Sequence, residues 1–219
     1  MFSTRLMLFV CSPYHHFAEA PVEIRLVFTR CDKSFISRAI MWFTQRRTHP
    51  ERRCSHVFVK FNPCGIFGDN WLIFEAAEQG VHIAPYTVAM GKQKIVAEFV
   101  LTCTKDVAID ATIKSLDAYT YWYYDFVGVG LGALWILFSK CCGTPIRWFN
   151  LTFRPGKAKK ALFCSGLARN VVMEVQKLDG KDYGVAGTPP RKIEPRDLLD
   201  VCFSKPERYN PILQSTGPK

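Results

Sequence analysis

The chain has 219 residues, 48% hydrophobic and 22% charged, enough apolar material for a full core and too much for a disordered or fibrous protein. Its formal net charge of +10 favours anionic partners (nucleic acid, lipid headgroups, an anionic polymer or membrane surface) without choosing among them, and no specific nucleic-acid module accompanies it. No Ser/Gly-rich linker, composition break or internal repeat interrupts it, so one domain over residues 1–219 is expected.

The run Leu6 to Val10 is short for a signal-peptide core and no small-residue cleavage site follows, so it reads as a buried strand. Val22 to Thr29 alternates Ile24, Leu26 and Phe28 against Glu23 and Arg25, which predicts a second strand. Ser34 is suited to cap a helix running to Gln45, with Ile36, Ile40 and Phe43 at helical spacing. The cluster Arg46, Arg47, Arg52 and Arg53 then reads as a solvated basic loop. Ser55–Phe61 and Trp71–Ala76 are strand-like runs separated by Asn62, Pro63, Gly65, Gly68, Asp69 and Asn70, which predicts an antiparallel hairpin with a long loop. Lys94–Leu101 continues as a strand and Asp106–Asp117 as a helix.

Phe126 to Phe138 is the longest apolar stretch, well short of the roughly 20 residues that span a bilayer. It reads as a buried helix, with a membrane-surface contact as the alternative. Arg147–Phe153 fits a strand or a loop, and Arg154, Lys157, Lys159 and Lys160 form a second basic loop. Ala161–Leu178 carries Leu167, Val171, Val172, Val175 and Leu178 on one helical face, and Pro195–Val201 is a closing helix with proline in its first turn. The order predicts an α+β protein with a small antiparallel sheet, and a cytoplasmic one, since neither a signal peptide nor a transmembrane helix is evident.

Nine cysteines are scattered without a C-x-x-C pair, which excludes a zinc ribbon or thioredoxin-like motif and suits reduced thiols. Cys54, His56 and Cys64 fit no common metal-ligand spacing, and neither metal nor cofactor is expected. Cys164 stands near the start of the Ala161–Leu178 helix, where free backbone N–H groups and the helix dipole favour a thiolate. A small apolar residue at such a place is more often core. His56 lies in an apolar strand, and Glu75 in another, where a carboxylate needs a partner. If the hairpin closes about mid-loop, position 56 faces position 75 or 76; opposed residues share a face, and a one-residue slip would remove Glu75 from it. A carboxylate there would hold the imidazole tautomer while the other ring nitrogen serves a thiol.

A run of short motifs, taken together, resembles the circularly permuted NlpC-type papain-like cysteine hydrolases, in which the histidine strand precedes the cysteine helix. Phe35-Ile36-Ser37-Arg38-Ala39-Ile40-Met41-Trp42-Phe43-Thr44 followed by Cys54-Ser55-His56-Val57 is similar to that family's helix and "sHvgi" strand. Phe74-Glu75-Ala76 with Gly80-Val81 resembles its "iEA" and "GV", and Tyr124-Asp125-Phe126 with Gly128 its "YDf.g". Phe163-Cys164-Ser165-Gly166-Leu167 resembles "fCSeLv", and Pro195-Arg196-Asp197-Leu198-Leu199 the "tPrDLl" tail. The order and spacing carry the likeness, which spans most of the chain.

The resemblance implies a permuted papain-like fold, a small antiparallel sheet or half-barrel packed against helices that include the nucleophile helix. It implies Cys164 as nucleophile, His56 as general base and Glu75 as the group orienting it, in acyl transfer through a thioester. Its members include cell-wall peptidases, amidases and lipid acyltransferases of the lecithin–retinol type, so an amide, peptide or ester substrate is implied without being chosen. A phospholipid acyl hydrolase or acyltransferase is the first alternative, and a catalytically idle binding protein the second. The chain departs from the pattern at Gly166, where the family commonly has Glu, at Glu194, where a capping Thr or Ser stands, and in the basic insert around Arg46–Arg53.

Overall fold

Side chains alternate across a strand, so a strand that is apolar throughout must be covered on both faces. That is the situation of the central strands. A computed structural model describes residues 22–45, 53–62, 71–77, 79–91, 93–124, 161–187 and 193–214. In chain order the elements are β1 (Ile24–Arg30), α1 (Phe35–Thr44), β2 (His56–Phe61), β3 (Leu72–Ala77), β4 (Gly80–Pro85), α2 (Tyr86–Met90), β5 (Lys94–Leu101), α3 (Lys105–Tyr119), β6 (Tyr123–Tyr124), β7 (Ala161–Leu162), α4 (Cys164–Asp179), α5 (Pro195–Ser204) and β8 (Tyr209–Gln214).

Six strands form one antiparallel sheet in the order β4-β3-β2-β1-β5-β8, and β6 and β7 form a short parallel pair. Leu26, Phe28, Val57, Val59, Phe61, Phe74 and Phe99 point into the main core, where they meet Leu167, Val171, Val172 and Val175 of α4. On the opposite face Val27, Phe58 and Ile73 make a smaller cluster with Tyr86, Ala89 and Met90. The protein is therefore α+β with a small antiparallel sheet, and α4 packs across β2 and β3 and against α3. Among the described residues no helix is long and apolar enough to cross a membrane.

Several elements depart from expectation. The helix expected from Ala161 begins at Cys164, because Ala161 and Leu162 pair with Tyr123 and Tyr124 as β7 and Phe163 takes the extended N-cap position. Strand β8, which contains Pro211, and strand β4 have no counterpart in the sequence reading; among the described residues β8 pairs with β5 alone, at the sheet edge, where proline's missing N–H is tolerated. Glu194 does cap α5, joined with Asp197 in a reciprocal capping box. The expected Leu6–Val10 strand, the 126–138 apolar helix, the 147–153 segment, the 157–160 basic patch and the 63–70 loop lie outside the described residues.

Gly80 sits where β4 meets the chain leading into β6. Its φ is 98°, and a Cβ there would stand 2.8 Å from the Trp122 carbonyl oxygen. That same oxygen accepts the Val81 N–H at 2.7 Å, and the Tyr121 N–H donates to the Val81 carbonyl at 3.2 Å. Gly80→Ala combines the left-handed conformation, by itself about 1–3 kcal/mol, with a clash against backbone that cannot turn aside. A marked drop in melting temperature is expected, against almost none for Gly187→Ala, where nothing lies within 4 Å of the added carbon.

Candidate active site

The entry to β2 is tied down before the histidine is reached. Gln45, at the end of α1, brackets Cys54: its side-chain oxygen accepts the Cys54 N–H at 2.9 Å and its amide donates to the Cys54 carbonyl at 2.5 Å. The Ser55 hydroxyl meets the Ser37 hydroxyl of α1 at 2.5 Å, and the Ser55 N–H donates to Thr29 of β1 at 3.0 Å. These bonds hold His56 at the first position of β2, its side chain mostly buried.

The β2–β3 ladder pairs Val59 with Phe74, Lys60 with Ile73 and Phe61 with Leu72. Carried onward, that register sets His56 opposite Ala77, whereas the sequence reading placed it opposite 75 or 76. Glu75 lies two residues from that position, hence on the same face and within diagonal reach of a long side chain. The His56 Nε2 and Glu75 Oε2 are 2.9 Å apart.

Cys164 is the first residue of the 16-residue helix α4, which ends on Gly180 in the left-handed conformation. The Ser165 hydroxyl donates to the Ile193 carbonyl at 2.6 Å and anchors the first turn to the segment entering α5. The Cys164 thiol adjoins the His56 imidazole closely enough that each shifts the other's titration, and the backbone N–H groups of Val57 and Ser165 act on the sulfur as well. Since Nε2 of His56 faces Glu75, Nδ1 is the nitrogen left for the thiol. The structure thus brings together all three residues singled out from the sequence, Cys164, His56 and Glu75.

Burial alone would raise the Cys164 pKa, but the charge and hydrogen bond of His56, then the two backbone N–H groups, outweigh it and hold the thiol below its ordinary value. For His56, burial pulls the pKa down, while the Cys164 thiolate and then Glu75 raise it, with a net rise to about 10. Both directions favour a thiolate–imidazolium pair, from the lowered thiol value up to about pH 10, where the imidazolium loses its proton. Two other buried thiols, Cys54 and Cys202, and the half-buried Cys103 go the opposite way. Burial pushes Cys54 up to about 12, Cys103 to about 11 and Cys202 well above the usual value. Iodoacetamide at graded pH with peptide mapping should therefore label Cys164 well below pH 8 while Cys54, Cys103 and Cys202 stay protected. Labelling of Cys54 at the same pH would remove the case for an activated Cys164.

One member of the site was missed in the sequence. His82 on β4 pairs with Glu75 across the β3–β4 ladder, and its Nε2 lies 3.4 Å from Glu75 Oε1. Its Nδ1 lies 3.1 Å from the Gly80 carbonyl oxygen, which can only accept, so Nδ1 carries a proton. The signal in the sequence is a single polar residue inside the apolar run Val81-His82-Ile83-Ala84. Gly166 is buried within α4, where a glutamate would itself need a buried partner. Among the described residues no group of three or more His, Cys, Asp or Glu side chains is arranged to hold a metal ion. The chain matches no family model, and no curated protein or solved structure matches it.

Proposed function

We propose that this protein is a cysteine hydrolase of the permuted papain-like, NlpC type, cleaving an amide, peptide or ester bond through a thioester. The observation that carries the reading is the row Cys164–His56–Glu75, the imidazole lying between the thiol it acts on and a carboxylate 2.9 Å away, with the thiol at the N-terminus of a four-turn helix. The chain order supports the permuted type, since the histidine strand β2 precedes the nucleophile helix and that helix packs across β2 and β3.

In this reading the Cys164 thiolate attacks the substrate carbonyl carbon, forming a carbon–sulfur bond and an oxyanion. The Cys164 N–H, in the first turn of α4 and so without an intrahelical acceptor, donates to that oxyanion. As the tetrahedral species collapses, the His56 imidazolium gives its proton to the departing amine or alcohol, and the acyl group remains on sulfur as a thioester. Neutral His56 then takes a proton from water, or from another acceptor hydroxyl or amine, as that group attacks and displaces the thiol. Glu75 fixes the ring with Nδ1 toward sulfur and balances the imidazolium charge.

The decisive experiment is an acyl or peptide probe bearing a thiol-reactive warhead, with the modified residue mapped. The reading expects the label on Cys164 and its loss in His56→Ala. Labelling elsewhere, or equal labelling of the variant, refutes it. A second reading, a phospholipid acyl hydrolase or acyltransferase, is favoured by exposed aromatics next to β7, the strand that enters α4: Tyr121 is 89% exposed and Tyr123 74%. Aromatic rings with a polar edge suit a lipid interface, and the net charge of +10 suits an anionic one. Acyl release from anionic phospholipid vesicles, compared with release from a soluble peptide amide, separates the two.

A further inference from the structure

The arrangement around Glu75 assigns a role beyond the three residues of the mechanism: we propose that His82 is a positioning residue, holding the Glu75 carboxylate in the orientation that meets His56. The proposal rests on the reading of Cys164 as an activated thiol. Glu75 is buried, with a side-chain exposure of 9%, and has two oxygens to satisfy. Oε2 meets His56 at 2.9 Å; Oε1 meets His82 at 3.4 Å. A carboxylate held by one oxygen turns easily about its last bond, whose torsion is broad, whereas one held by both cannot.

His82 is itself held. It lies opposite Glu75 in the β3–β4 register, and its Nδ1–H donates to the Gly80 carbonyl, which aims Nε2 at the carboxylate. Gly80 is fixed in turn by the backbone crossing with Trp122. With Nδ1 turned to the Gly80 carbonyl, Nε2 is the ring nitrogen left facing Oε1. The path then runs from Gly80 through His82, Glu75 and His56 to the Cys164 sulfur. The titratable groups along it are His82 from β4, Glu75 from β3, His56 from β2 and Cys164 from α4; Cys54 adjoins Cys164, with Arg196 and Asp200 of α5 acting on Cys54.

The test reads the thiol and not turnover, so it works whatever the substrate. The rate of Cys164 alkylation by iodoacetamide is followed against pH in the wild type, His82→Ala, His82→Gln, Glu75→Gln and the double variant Glu75→Gln/His82→Ala. Loss of His82 frees the carboxylate, weakens support of the His56 imidazolium, and should move the alkylation midpoint up by about half a pH unit or more. His82→Gln places an amide N–H against Oε1 and should restore most of that shift. The double variant should lie no further out than Glu75→Gln alone, because an effect exerted through the carboxylate vanishes with it.

An unchanged profile in folded His82→Ala, checked by circular dichroism, overturns the proposal, as does full additivity in the double variant. Wild-type Cys164 that reacts no earlier than an ordinary thiol overturns both this proposal and the nucleophile assignment. An early-reacting Cys164 without turnover on any acyl substrate removes the hydrolase reading and leaves the role of His82 standing.

Discussion

Replacing Cys164 with alanine is expected to reduce acyl transfer to the background rate while the protein stays folded. The side chain is 5% exposed and packed in the main core, so the change leaves only a sulfur-sized gap. Nothing else in the described site can replace the thiolate as nucleophile. The neighbouring Cys54 is held by Gln45 through its backbone, and burial keeps its thiol protonated, with a pKa of about 12. Ser165, next in the helix, commits its hydroxyl to the Ile193 carbonyl. The variant should also lower the His56 pKa, because the thiolate is the largest of the influences that raise it. Turnover and the histidine ring shifts in NMR, measured on one preparation, check both outcomes. Residual turnover above a few per cent would point to another nucleophile.

Glu75→Gln should lower turnover by more than about tenfold with the fold retained. Glutamine has nearly the same shape, and its oxygen can still accept the His56 Nε2–H while its amide faces His82. The charge is what goes. In the native site one carboxylate lies within 2.9 Å of one imidazole and 3.4 Å of another, in a mostly buried setting where charge is weakly screened. Without it the imidazolium formed beside the thiolate is less favoured, and an amide turned the other way selects the wrong tautomer. A purely structural Glu75 predicts something different, a lower melting temperature with unchanged turnover per folded molecule. Melting and turnover on the same sample separate the accounts, and full activity in Glu75→Gln would leave a Cys164–His56 dyad.

Local pattern alone was enough for much of this. The alternation in Ile24–Phe28 and Ser55–Phe61, the cap at Ser34 and the apolar face from Leu167 to Val175 are properties of neighbours in the chain, and the strands and helices they predict are present. Cys164 at a helix start was legible for the same reason, and so was the demand of a carboxylate in an apolar strand for a partner. Which partner was not. Strand pairing depends on how a long loop closes, and no residue within β2 or β3 reports it. Only the folded sheet sets His56 diagonal to Glu75 and brings β4 alongside, so that His82 reaches the second carboxylate oxygen. The true start of α4 was hidden likewise, because Ala161 and Leu162 are good helix residues until Tyr123 and Tyr124, far away in sequence, recruit them as a strand. Periodicity along the chain determined the α+β class and the faces of its elements; long-range closure decided register, and with it which side chains share the site.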